Sequence, residues 1–143
     1  MKRSKIGEFP FYPPLFAIFP VFTALGVNIR EVYIKAGLRS LLVAFGIGIL
    51  FFLFFWLTTR KTSLAGLLSL WSVILFFSYG YIFTDNSGLI VWGLIWLIVC
   101  VLMTRFIKEG GRIALVLNIV ALFLLITPAY QIISFIITQQ RAN

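Results

Sequence analysis

Residues 40–58 read SLLVAFGIGILFFLFFWLT, nineteen positions with no charged side chain. A hydrocarbon core about 30 Å thick is crossed by about 20 apolar residues in helix. The run is continuous, whereas a strand of a membrane barrel alternates apolar and polar positions. The expectation is a lipid-embedded helix. Four further stretches share its character, at about 11–27, 63–83, 89–104 and 113–138. The fold class that follows is all-α: a polytopic helical bundle of about five transmembrane helices in a single domain spanning 1–143.

Composition leads the same way. Of 143 residues, 62% are hydrophobic, 17% aromatic and only 11% charged, with a mean hydropathy of +1.08. A soluble domain carries roughly a quarter charged residues, and a disordered chain is poor in aromatics. Both classes are excluded. Net charge is +8, but the basic residues stand in short clusters between apolar runs, as membrane loops do. The implied partner is therefore the lipid bilayer and not nucleic acid. Histidine is absent, which removes Ser–His pairs and His-based metal sites. The one cysteine, Cys100, lies within an apolar run and has no internal partner for a disulfide. No catalytic constellation, metal site or cofactor site is legible, so no enzyme activity is expected of this chain alone.

Turn formers separate the spans: Arg60-Lys61-Thr62, Asp85-Asn86-Ser87-Gly88, and Gly110-Gly111 within Arg105–Arg112. The stretch Arg30–Leu38 reads as a loop, or as a short interfacial helix bearing Val32, Tyr33, Ile34 and Leu38. With five spans, one face receives Lys2, Arg3, Lys5, Arg60, Lys61, Arg105, Lys108 and Arg112. The other receives Arg30, Lys35, Arg39 and Arg141. Excess Lys and Arg mark the cytoplasmic face, so the expected topology is N-in and C-out; a re-entrant first segment would change it. The basic opening followed by apolar residues has the outline of a signal peptide. Its prolines and the lack of a small-residue cleavage site favour a retained span.

Polar residues inside spans are few: Ser69, Ser72 and Ser78 in the third, and Asn118, Tyr130 and Gln131 in the fifth. Intramembrane polar groups mark function when they are ionisable. No acidic or basic residue sits mid-span, so interhelical hydrogen bonding and close packing rank first for all six. Ala44/Gly48 and Ala65/Ser69 are small-xxx-small pairs that permit close helix approach, with Gly46 adding a third small residue. Arg30, Lys35 and Arg39 form a basic group at one membrane face, either contacts for an anionic headgroup or snorkelling anchors, the latter ranked higher. Tyr12, Tyr33, Trp56, Trp71, Tyr79, Tyr81 and Trp92 read as interfacial belt residues. Pro20 and Pro128 are expected to kink their helices.

Two stretches together carry a family resemblance. Pro14-Leu-Phe-Ala-Ile-Phe-Pro20 leads to Asn28-Ile29 and Glu31-Val32, and Thr62-Ser-Leu-Ala continues to Leu75-Phe-Phe-Ser-Tyr-Gly80. They resemble the N-terminal membrane module of bacterial sulfatase-like hydrolases of the alkaline phosphatase superfamily. Lipoteichoic acid synthases and phosphoethanolamine transferases are similar in plan, with five spans followed by an extracytoplasmic catalytic domain. The resemblance implies a bacterial plasma (inner) membrane location and a non-catalytic anchor without its enzyme: a fragment of a longer chain, a split gene product whose hydrolase domain is separately encoded, or a standalone relative. It carries no catalytic residue onto this chain, which lacks the histidine ligands of that superfamily. The alternatives are an accessory or structural subunit of a larger membrane complex and, ranked last, a transporter or channel subunit.

Overall fold

The structure is a computed structural model that describes residues 8–31, 33–83, 86–108 and 111–142. The basic segment Lys2–Lys5, Val32, Asp85, Gly110 and the side chain of Arg141 lie outside the described residues. Five helices follow in order: α1 (Tyr12–Val27), α2 (Ile34–Thr59), α3 (Thr62–Ile82), α4 (Leu89–Phe106) and α5 (Gly111–Ala142). A single 3₁₀ turn, Asn86–Gly88, leads into α4. The last four are long and apolar enough to cross a membrane. The first has 16 residues, about 24 Å at 1.5 Å per residue, and falls short of a full span by itself.

Helix ends are explained by local chemistry. Pro13 and Pro14 occupy the first turn of α1, where two amide protons would otherwise lack a carbonyl. At the end of α2, Arg60 adopts a left-handed conformation with φ 56° and its N–H bonds Trp56 O at 2.8 Å. The Thr59 hydroxyl donates to Phe55 O at 2.7 Å and accepts from the Lys61 amide at 3.4 Å, closing the turn into α3. α2 starts at Ile34 rather than at Ser40, so Arg30 and Glu31 form a turn as the loop reading expects, whereas Ile34–Leu38 are the first turn of the spanning helix rather than a separate interfacial helix. Hydropathy marks where lipid begins, whereas helical hydrogen bonding continues into the headgroup layer. Both α1 and α5 run through their internal prolines, Pro20 and Pro128.

The helices pack around α1. It lies against α2, α5 and α3, while α4 touches the bundle mainly through α3. Small residues set the closest approaches. A methyl group on Gly48 would stand 2.5 Å from Pro14 Cα and 3.0 Å from Ala17 Cβ, so α2 meets the α1 backbone there. Ala44, one turn earlier, is also buried. Gly46 faces open space and takes no part. Gly37 lies against Leu25 and Gly48 against Pro14, so α1 and α2 are antiparallel. Phe11 meets Asn118 and Gly26 meets Pro128, so α1 and α5 are parallel.

Two apolar cores result. One joins Tyr12, Leu67, Ala114 and Ala121 from α1, α3 and α5. The other joins Phe55, Leu64, Ala65 and Leu68 from α2 and α3, with Trp96, Cys100 and Met103 of α4 packed on it. Ile107 touches both. Both belong to the half of the bundle that contains the start of α1.

The outward surface is what a bilayer requires. Accessible area is 10317 Å², against about 7,500 Å² for a compact soluble chain of this mass. No residue of α4 is buried, and Ile90, Phe106 and Phe123 are among many large apolar side chains left exposed. In water such a surface would drive association; in lipid it is at home. The chain is a helical membrane protein.

Candidate functional site

Arg30, Lys35 and Arg39 come together. They border a single cavity of about 640 Å³ with Ile29, Tyr33, Ala36, Phe135 and Gln139. Lys35 and Arg39 are four apart on α2 and therefore share a face. Arg30 reaches the same space from the turn after α1. That turn is held by its own hydrogen bonds: the Asn28 amide and side-chain Nδ2 both donate to Ala24 O, at 3.1 and 2.9 Å, and the Glu31 amide donates to Asn28 O at 2.9 Å. Ile29 is buried beneath it. The third wall, Phe135 and Gln139, belongs to the last turns of α5.

The cavity is at headgroup depth. Counting about 20 residues of span back from Thr59, the end of α2, places residues 34–39 beyond the hydrocarbon. Counting the same length forward from Arg112 places Phe135 and Gln139 beyond it as well. Arg30, Lys35 and Arg39 are exposed, and no ion pair involves any of them among the described residues. No side chain caps the N-terminus of α2, so its free amides add positive potential at the same place.

The other polar residues singled out in the spans divide into two groups. Ser72 bonds between helices, and Asn118 ties α5 to the segment that leads into α1. The Trp96 indole N–H of α4 donates to Ser72 Oγ at 2.7 Å, while Ser72 itself donates to Leu68 O at 2.9 Å. Asn118 accepts from the Phe11 amide at 2.9 Å and donates to Phe9 O at 2.8 Å. Ser69 and Ser78 instead donate to carbonyls of α3, Ala65 O and Ile74 O, each at 2.6 Å. Ser69 is fully buried, which leaves its small volume as its contribution to packing. Gln131 abuts α1, its Oε1 occupying the place where a Gly26 side chain would begin.

Trp96 is a bonding residue beyond those that the sequence singles out. Its signal was present, because Trp92 and Trp96 are four apart on α4, and Trp92 Nε1 likewise donates to α3, at Leu75 O over 3.0 Å. These two indoles hold α4 to the bundle and floor a second, apolar cleft of about 260 Å³ bordered by Phe51, Phe76, Tyr79 and Gly93.

The belt expectation needs two corrections. Tyr12 is completely buried in the α1–α3–α5 core, and Trp71 is half-buried at the middle of α3. An aromatic of mixed polarity suits an interface on average, but Tyr12 packs with Leu67, Ala114 and Ala121 instead. Tyr33 and Tyr81 are exposed at one end of the bundle. No known protein family, curated protein or solved structure matches the chain.

Proposed function

We propose that the chain is a non-catalytic membrane module of a bacterial plasma membrane, N-terminus inside and C-terminus outside, that anchors an extracytoplasmic partner domain. The observation that supports it most is directional. α1, α3 and α5 start at one end of the bundle, so the segment beyond α5 leaves on the face opposite to the start of α1. Among the described residues, Arg60, Lys61, Arg105, Lys108 and Arg112 lie at the starting end, against Arg30, Lys35 and Arg39 at the other. That bias favours a cytoplasmic start. The five-helix plan is compatible with that of the anchors of sulfatase-like hydrolases that the sequence resembles.

Fusing a periplasm-dependent phosphatase or a cytoplasm-dependent fluorescent protein after Asn143 tests the orientation. The phosphatase fusion is expected to be active and the fluorescent fusion dark; the reverse outcome overturns the C-out reading. Purification in mild detergent then tests the anchor. Co-elution with a hydrolase-domain chain supports it, and stoichiometric co-elution with a large multisubunit membrane complex replaces it with an accessory-subunit role.

A further inference from the structure

We propose that the cavity between the α1–α2 turn and the end of α5 is a binding site for a phosphate oxyanion, and that the oxyanion is the headgroup phosphate of an anionic glycerophospholipid. Three cations that repel one another converge on one open space, and none is neutralised by a carboxylate among the described residues. Glu31, next in sequence to Arg30, is exposed and does not border the cavity. Holding Arg30, Lys35 and Arg39 around a void costs electrostatic energy that a dianion or monoanion recovers, and guanidinium groups match phosphate oxygens two at a time.

Lipid is favoured over a solution ion by the walls. Ile29 and Phe135 supply apolar surface, Gln139 stands one turn further along α5, away from the membrane centre, as a polar group, and the cavity lies at headgroup depth. A volume of about 640 Å³ is far larger than a bare phosphate needs and is within the range of sites for small molecules. The turn carrying Arg30 is fixed by the Asn28 and Glu31 hydrogen bonds, so the backbone from which this cation extends is set before any ligand arrives. The site does not depend on which membrane face is cytoplasmic.

The full chain in a neutral detergent is titrated with short-chain phosphatidylglycerol, short-chain phosphatidylcholine and inorganic phosphate, with bound lipid read by native mass spectrometry. Phosphatidylglycerol is expected to bind at least roughly tenfold more tightly than phosphatidylcholine, and inorganic phosphate to compete only at far higher concentration. The R30Q/K35Q/R39Q variant should lose that preference, and R39K, which keeps the charge but not the two-point fork, should lose part of it. R60Q/K61Q, which removes two charges from the opposite end, should leave it within about twofold. Retention of the preference in the triple variant, an equal loss in R60Q/K61Q, or equal binding of the two lipids overturns the site. Competition by inorganic phosphate as strong as by phosphatidylglycerol overturns the lipid assignment.

Discussion

The side chain of Asn118, midway through the first half of α5, accepts the Phe11 amide proton at 2.9 Å across 107 positions of sequence. Its Nδ2 returns a bond to Phe9 O, so one carboxamide reads both a donor and an acceptor of the backbone, as a neighbouring strand would. The segment it holds leads into α1 just before two prolines. First and last helices are thereby joined at the tightly packed end of the bundle, beside the Tyr12–Ala114–Ala121 core.

Asn118→Leu should therefore strip two partners from backbone groups that are partly buried. The expected loss is about 1–3 kcal/mol, read as the unfolding midpoint in mixed mild-detergent and SDS micelles. Asn118→Asp keeps the acceptor but not the donor and should also destabilise, because its charge would be enclosed. Limited proteolysis near Phe9 should accelerate in both. A wild-type midpoint in Asn118→Leu refutes the clamp.

Gly46 and Gly48 are a matched pair, two residues apart on α2, with opposite surroundings. A methyl group at position 48 meets the α1 backbone at 2.5 Å and must part the helices, whereas at position 46 it meets nothing within 4 Å. Gly48→Ala should cost about 1–3 kcal/mol by overpacking. Gly46→Ala should be neutral or stabilising by up to about 1 kcal/mol, through helix propensity. Equal effects at the two positions would mean that α1 and α2 do not meet at Gly48.

The attachment of α4 invites a double-mutant cycle. Trp96→Phe removes the indole N–H and keeps an aromatic side chain, though a smaller one, and Ser72→Ala removes its acceptor. Their coupling should be about 0.5–1.5 kcal/mol, the range for a hydrogen bond between membrane helices. Strict additivity would show that the indole finds no partner in Ser72.

Much of this architecture is readable from sequence because lipid imposes a simple rule: every spanning segment must be apolar and helical. The runs around Phe51–Trp56 and Leu94–Val101 announce themselves, as does the basic turn at Arg60-Lys61. The Ala44/Gly48 pair is also legible, since only small residues allow backbones to meet. Partnership is not. Asn118 could have faced any neighbour, and nothing in its local sequence names Phe9 and Phe11, because hydropathy is nearly uniform around each helix and carries little information on facing. Tyr12 misleads for the same reason. Arg30, Lys35 and Arg39 are close in sequence, so their gathering is foreseeable, but the wall contributed by Phe135 and Gln139 depends on α5 lying beside α1.

Tyr12 offers the sharpest remaining test. Its hydroxyl is enclosed with no hydrogen-bond partner among the described residues, and it points at Gly66, where an added methyl group would come within 2.7 Å of it. A buried hydroxyl without a partner forfeits its hydration with nothing in return. Tyr12→Phe keeps the ring in the core and should leave stability unchanged or raise it, by up to about 1–2 kcal/mol. Tyr12→Ala should cost about 3–5 kcal/mol, as loss of a large aromatic from a packed interior does. Destabilisation of Tyr12→Phe by more than about 1 kcal/mol would demonstrate that the hydroxyl is bonded after all, to an enclosed water or a lipid group.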